Sequence, residues 1–343
     1  MLALRFYGQR DIRLENIPKP KPKKDVVLIK VSDAGISQTQ INEFVEGPFI
    51  INKEPHPLTN KSIPLIPCQE YGGIIEEVGE NVDRNLIGKQ VAVLPLISCG
   101  KCEYCKSGKE HLCDKMAYHG LLGADGGFCE YSVVNKNNII EIEKRELLTF
   151  IEPILVGIHA ANQAKRFFDL KDKNILILGA GAVGISVASV FKDFFKANIE
   201  INDILEARLK RAKKAGFKAV KKDEISKKYD MVIDAAGIDT LIEIPAFIEG
   251  QNYLKKGSAL LNIGTYFHPI KLIPSNLLLK EQCIIESITY NSNDVKILPE
   301  VLKTIKTDFK IFLDFIDLKN IIEDGYYRAE VDKESFTRIV VRS

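Results

Sequence analysis

The sequence predicts an α/β protein in two parts: a doubly wound parallel sheet, preceded by a mostly-β region that carries a metal-binding lobe. Three observations predict it. From about Leu147 onward, short apolar runs alternate with helical stretches, as they do in βαβ units around a parallel sheet. Before that point the chain reads as short β-rich segments broken by turns. Within that first half, four of the seven cysteines crowd into fifteen positions: Cys99, Cys102, Cys105 and Cys113.

Length and charge fit that division. At roughly 150 residues per domain, a chain of 343 residues suggests two domains, each large enough for its own core. The 48 basic and 46 acidic side chains nearly cancel, leaving +2, which argues against a dedicated nucleic-acid binder. The one basic run, Lys19-Pro-Lys-Pro-Lys-Lys24, reads as a solvated loop because of its prolines. No stretch approaches the roughly 20 apolar residues that span a bilayer. The start, Met1-Leu-Ala-Leu-Arg5, lacks the pattern of a secretory signal, so a cytoplasmic protein without nucleic-acid or membrane partners is expected.

Taken in order, Val26–Val31 and Gly72–Val78 read as strands, the second ending at the turn Gly79-Glu-Asn81. Val91–Leu94 leads into the cysteines, and Gly127–Val134 reads as a further β-rich stretch. Phe150–Phe168 carries apolar residues at helical spacing, with Pro153 early, where a first turn tolerates it. Asn174–Leu178 is a continuous apolar run, suited to a strand covered on both faces. Strands at Ile199–Ile201, Met231–Ile233 and Ala259–Ile263 then alternate with helices at Leu205–Ala215 and Thr240–Phe247. Past about Tyr290 the regularity is lost.

Gly179-Ala-Gly181-Ala182-Val183-Gly184 follows the strand Asn174–Leu178 and opens a helical stretch, Ile185–Phe195. Glycines here allow a tight turn, close approach to a pyrophosphate, and close helix–strand packing, while the helix N-terminus offers free N–H groups to the phosphates. Asp203 closes the next strand, about 20 residues on, where an acid accepts from the adenosine ribose hydroxyls. The expectation is therefore NAD in preference to NADP. Arg208 qualifies it, because an arginine there tolerates a 2′-phosphate. The alternative is a glycine turn with no ligand.

The cysteine spacing, from about 95 to 115 in the chain, offers four thiols to a tetrahedron. Zn²⁺ accepts four thiolates, and with all positions filled by cysteine the site is closed and structural. An odd number of cysteines in a chain of this size fits metal binding better than disulfides. Free surface thiols or an iron–sulfur cluster are the competing readings.

The zinc lobe followed by the dinucleotide turn resembles the zinc-containing medium-chain alcohol dehydrogenases, in particular their polyol, sorbitol and butanediol dehydrogenase branch. The resemblance runs through Ala34-Gly-Ile36, Glu43–Pro48, His56–Lys61, Glu70–Gly79, the cysteine lobe, Gly126–Tyr131, Glu152–His159 and Asp234-Ala-Ala-Gly237. It implies a GroES-like catalytic domain over 1–148 and 290–343, a Rossmann NAD-binding domain over 149–289, an active site in the cleft, and a homodimer or homotetramer.

The chain departs from that family where its catalytic zinc is bound. The family's cysteine falls at Ser37 and its histidine at Gln69. The aspartate that orients the histidine falls at Gln40, and the proton-relay histidine at Asn42. Thr39, Glu70 and Glu152 remain. Serine, glutamine and asparagine are poor zinc donors beside thiolate and imidazole, so the usual catalytic zinc is expected to be absent. A shifted site of Cys68, Glu70 and Glu152 is the rival account. Alone, Cys68 reads as a small buried hydrophobe, as do Cys129 and Cys283. His56, His111, His119 and His159 read as partners for turns and backbone groups.

Without zinc, a base and hydrogen-bond donors must take over the alcohol's proton and charge. Glu70 and Glu152 are the available carboxylates, and two of them close together without a cation would push one pKa upward. Thr39 and Gln69 are the candidate donors to the developing oxyanion. The expected activity is NAD-dependent oxidoreduction of a polyol, sugar or sugar-derived alcohol. A zinc dehydrogenase with substitute ligands and a catalytically silent NAD-binding protein are the alternatives.

Overall fold

The computed structural model describes residues 1–237 and 246–343. It divides into two compact units, Met1–Glu152 with Leu313–Ser343, and Pro153–Phe312.

The first unit opens with a hairpin of β1 (Leu2–Gly8) and β2 (Asp11–Asn16). β3 (Val26–Gly35) follows and runs into α1 (Gln38–Val45). Ser37 caps α1: its hydroxyl accepts from Gln40 N, while Gln40 Oε1 accepts from Ser37 N, a reciprocal box that satisfies two otherwise orphaned donors. Next come β4 (Tyr71–Val78), β5 (Gln90–Val93), β6 (Leu96–Ile97) and the single turn α2 (Glu103–Lys106). β7 (Ala117–His119), β8 (Gly123–Ala124), β9 (Tyr131–Asn135) and β10 (Ile139–Glu141) complete the run. The β-rich reading of Gly127–Val134 is thus correct only at its end. Gly126 and Gly127 instead wrap a backbone, with Gly127 N donating to the Cys68 carbonyl at 3.1 Å.

α3 (Ile151–Ala164) carries the chain into the second unit. There the elements are β11 (Asn174–Leu178), α4 (Ala182–Ser189), β12 (Asn198–Asn202), α5 (Glu206–Lys214), β13 (Lys218–Val220) and β14 (Tyr229–Asp234). They continue with α6 (Ala246–Gly250), β15 (Leu254–Asn262), α7 (Pro274–Leu278), β16 (Cys283–Glu286) and α8 (Ser292–Thr304). The expected helix Thr240–Phe247 falls mostly outside the described residues. The expected helix up to Phe195 widens from Val190 to Phe194 into a π-type turn. All six strands are parallel, in the order β13–β12–β11–β14–β15–β16. Order therefore reverses beside β11, the switch point at which such sheets bind nucleotides. Ile175, Leu176 and Ile177 are fully buried, so the continuous apolar run marks a strand covered on both faces.

The chain returns to the first unit at Leu313, later than the expected 290, because α8 is tied into the second unit. Asp294 on α8 accepts from Asn162 Nδ2 on α3 at 2.7 Å and hydrogen-bonds His159 Nδ1 at 2.7 Å. His159 is thereby paired with a carboxylate and not with the backbone group expected for it. After the return, β17 (Leu313–Asp317), α9 (Arg328–Val331) and β18 (Arg338–Arg342) close the chain. The first unit's main sheet runs β10–β5–β4–β3–β18–β17, with β9 also paired to β3. Its core gathers Val27, Ile29, Val31, Phe44, Phe128 and Tyr326, among others. No helix among the described residues is long and apolar enough to cross a membrane.

Candidate functional site

The chemistry-bearing residues fall into three groups. The first is the cysteine lobe. Cys102 caps α2, and the chain then folds back so that Cys113 joins Cys99, Cys102 and Cys105. Their four sulfurs lie within 4.8 Å of one another, with Cys102–Cys105 at 3.5 Å and Cys99–Cys105 at 3.9 Å. Thiolates about 2.3 Å from one zinc in a tetrahedron stand about 3.8 Å apart, so the residues fit the ion. Backbone N–H groups of Lys101 and Cys102 point at Cys99 Sγ, each at 3.4 Å, and pull its pKa down to about 6. Among the described residues this is the one cluster of three or more His, Cys, Asp or Glu groups placed to share an ion.

The second group is the glycine turn after β11. Gly179 has φ +104°, and a Cβ on Gly184 would stand 1.9 Å from the Gly179 carbonyl oxygen, so neither position admits a side chain without a shift. Gly181 caps α4. A Cβ there would meet nothing closer than Arg208 Nη1, at 3.8 Å, which leaves the turn open to a phosphate. Ala182, Val183 and Gly184 form the first turn of α4. Asp203 follows β12 directly and holds the turn in place: Oδ2 accepts from Ala180 N at 2.7 Å and Oδ1 from Leu205 N at 2.8 Å. Arg208 on α5 lies 3.9 Å from Asp203. This constellation fits a dinucleotide.

The third group surrounds Ser37 and Gln69. Gln40 Nε2 donates to Gln69 Oε1 at 2.7 Å. Gln69 Nε2 donates to Ser37 Oγ at 3.0 Å and to Glu70 Oε1 at 3.1 Å. Both amide hydrogens of Gln69 are engaged within the protein, which corrects the expectation that Gln69 donates to substrate. Glu70 differs from expectation too. Its carboxylate forms a fully buried ion pair with Arg338 on β18, so it has the cation the sequence reading lacked. Arg338 also donates to the carbonyls of Ile36 and Thr149, and a Cβ on Gly35 would lie 2.6 Å from its Nε. Only glycine leaves the guanidinium its place.

Glu152 has a different partner. It lies in the first turn of α3, 9% exposed, and Tyr118 on β7 donates its hydroxyl to Glu152 Oε1 at 2.7 Å. Burial lifts its pKa to about 7, against the opposing pull of the Tyr118 hydrogen bond. The rise comes from desolvation. Thr39 is half-buried in the first turn of α1, and Asn42 accepts from Gln38 Nε2 at 2.9 Å.

Cys68 is fully buried, with its thiol directed at the carbonyls of Gly35 and Glu70, each at 3.5 Å. Burial pushes that thiol up to about 12. The structure thus does not gather Cys68, Glu70 and Glu152 into the shifted metal site. Cys129 is buried as expected, whereas Cys283 is half-buried. His56 and His119 meet backbone groups as expected, at Met116 O (3.0 Å) and Asp125 O (2.9 Å).

Sequence reasoning missed Arg338 and Tyr118. A charged residue opening the apolar run Ile339-Val-Val341 was a signal for the first. Nothing in the spacing pointed to the second.

Known proteins resemble this chain in sequence and in fold. Residues 23–144 match the alcohol dehydrogenase GroES-like domain. The (R,R)-butanediol dehydrogenase of Bacillus subtilis is 28% identical, over 100% of this chain and 99% of its own. The sorbitol dehydrogenase of the same organism is 32% identical, over 63% of this chain and 59% of its own. The crystal structure of 2R,3R-butanediol dehydrogenase from Bacillus subtilis superposes with a TM-score of 0.86 at 24% identity, covering 100% of this chain and 99% of that one.

Proposed function

From its membership of the zinc-type medium-chain alcohol dehydrogenase family, an oxidoreductase of the alcohol dehydrogenase kind, we propose that this chain oxidises and reduces a polyol, sugar or sugar-derived alcohol with NAD, and that Glu152 does the work of the usual catalytic zinc. The observation that carries the reading is the buried Glu152 carboxyl, hydrogen-bonded by Tyr118 and lifted to about 7. A dinucleotide held by its pyrophosphate at the glycine turn Gly179–Gly184 would supply the hydride acceptor, or the donor in the reverse direction.

Oxidation of an alcohol releases a hydride from carbon and a proton from oxygen. Glu152, ionised, accepts that proton, and its pKa near neutrality matches the task. Tyr118 holds the carboxylate in one orientation. We assign the hydrogen bond to the substrate oxygen to Thr39, the half-buried hydroxyl in the first turn of α1. Ser37, Gln40, Gln69, Glu70 and Arg338 form a closed polar network in which each side chain already has its partner. A hydroxyl and an amide so engaged do not fit zinc. The same closure favours a second reading, a catalytically silent NAD-binding protein.

Glu152→Gln distinguishes the readings. On a panel containing butanediol and sorbitol, turnover should fall by about 10²-fold or more, with NADH affinity within about twofold of wild type. Full activity in Glu152→Gln would remove Glu152 from the mechanism. A wild-type protein that binds NADH and turns over nothing on the panel would establish the silent reading.

A further inference from the structure

A cavity of about 130 Å³ lies at the N-terminal edge of the parallel sheet, within the second unit. Its interior is apolar: Leu170, Ile175 and Met231 are each at most 2% exposed, and half-buried Phe168 joins them. Protein interiors keep few voids larger than a water molecule, and an apolar cavity of about 150 Å³ holds a benzene ring. The chain beside the cavity is built to an unusual shape. β14 and β15 pair at Tyr229–Leu254 and again at Met231–Ala259, so Asp230 alone stands opposite the four residues Lys255-Lys256-Gly257-Ser258. These arch away from the ladder. Gly257 takes φ +67°, a conformation that strains an L side chain, and donates its N–H to the Lys280 carbonyl at 2.8 Å. The Lys255 carbonyl accepts from Ser258 Oγ at 2.6 Å and from Gln282 Nε2 at 2.9 Å. The arch is therefore fixed by its own bonds, and a ligand has little ordering to pay for there.

The charges around the cavity do not cancel. Three lysines, Lys173, Lys255 and Lys256, and two aspartates, Asp169 and Asp230, line it, a balance of one positive charge. Asp230 is fully engaged: Oδ1 accepts from Lys255 Nζ at 2.8 Å and Oδ2 from Asn174 N at 3.0 Å. Asp169 Oδ1 accepts from Lys171 N at 3.1 Å. Among the described residues, the ammonium groups of half-buried Lys173 and exposed Lys256 have no partner. We propose that this cavity binds a small organic monocarboxylate whose apolar body is about the size of a benzene ring. The body rests on Leu170, Ile175 and Met231, and Lys173 and Lys256 meet the carboxylate. A single negative charge matches the balance of the lining, which holds no arginine fork for a phosphoryl group. The site is distinct from the glycine turn. Ile175 lies near the start of β11 and Gly179 just past its end, about 13 Å apart at the rise of a strand. Nucleotides bind such sheets beyond the C-terminal ends of the strands, and this cavity lies at the opposite ends. The inference holds whether or not the chain turns over an alcohol.

The test is a ligand-observed NMR titration of benzoate with the purified full-length protein, alone and saturated with NADH. Wild type should bind benzoate with millimolar affinity or better, equally with and without NADH. Benzamide, the uncharged isostere, should bind about tenfold more weakly, the scale of one lost charge-assisted contact. Lys173→Ala and Lys256→Ala together should weaken benzoate about tenfold or more and leave benzamide within about twofold, at an unchanged melting temperature. Lys256→Glu alone, at an exposed position where folding is not at stake, should weaken benzoate as well. No binding of benzoate at about 20 mM overturns the inference, and so do lysine variants that bind it like wild type. Displacement of benzoate by NADH also overturns it, and assigns the anion to the dinucleotide turn. If NADH itself fails to bind, the dehydrogenase reading falls, and the lysine variants still decide this inference.

Discussion

Burial raises the Glu152 carboxyl to about 7 while the Tyr118 phenol, donating to Oε1, opposes the rise. Removing the phenol therefore has a definite sign. In Tyr118→Phe the ionised carboxylate loses its donor, and its pKa should climb by about one unit, the equivalent of a hydrogen bond to a charged group. If Glu152 is the base for alcohol oxidation, kcat/KM rises with pH through about 7 in wild type and about one unit higher in Tyr118→Phe, with the rate recovering at alkaline pH. A pH limb that does not move would make Tyr118 a packing residue only. Stability carries the same sign. Because the folded pKa lies above the ordinary glutamate value of 4.5, the folded chain holds a proton that the unfolded chain has released between those values. Glu152's contribution to stability is therefore present below about 4.5 and is lost as pH rises through about 7. Glu152→Gln should flatten that part of the profile in denaturant titrations.

The cysteine lobe, from β6 through α2 to β8, is an element with little regular structure of its own. Its three strands have two or three residues each, and α2 is a single turn. Short pieces of this kind do not hold by backbone pairing alone, so an ion shared by the four thiolates is expected to be part of their folding energy. Stripping the metal with a strong chelator, or substituting Cys102→Ser, should open this segment to limited proteolysis. The melting temperature should drop on the order of 5 °C or more, and a lobe equally resistant with and without metal would contradict the assignment. The lobe was legible because ligand spacing is local, and the glycine turn because strand, glycines and helix are consecutive. The network around Gln69 was not, because its organising cation, Arg338, sits at the other end of the chain and arrives only when β18 pairs with β3. The boundary near 290 was misplaced for a similar reason. α8 looks like the start of something new in sequence, yet Asp294 ties it back to His159 and Asn162 on α3.

For the whole molecule these contacts converge on a metal count. The resemblance to zinc-containing dehydrogenases implies two zinc sites, and the donors present suggest one. The lobe supplies four sulfurs at spacings that suit a tetrahedron. At the place of the second site, Ser37 is spent on capping α1 and on Gln69. Gln69 is held by Gln40, Ser37 and Glu70, and Glu70 by Arg338. Loading zinc there would mean breaking a buried ion pair, at a cost of about 3–5 kcal/mol, to recruit donors that bind the ion weakly. Elemental mass spectrometry on purified protein should therefore find one zinc per chain, and Cys102→Ser should take that value toward zero. Two zincs per chain, with one surviving in Cys102→Ser, would place a metal among substitute ligands. That result would return the proton chemistry to a metal-bound alcohol and leave Glu152 a supporting part. One zinc that disappears with the lobe removes the metal-based reading and leaves two: a dehydrogenase whose proton moves through the Glu152 carboxylate with its Tyr118 partner, or a silent NAD-binding protein, which turnover on the substrate panel separates.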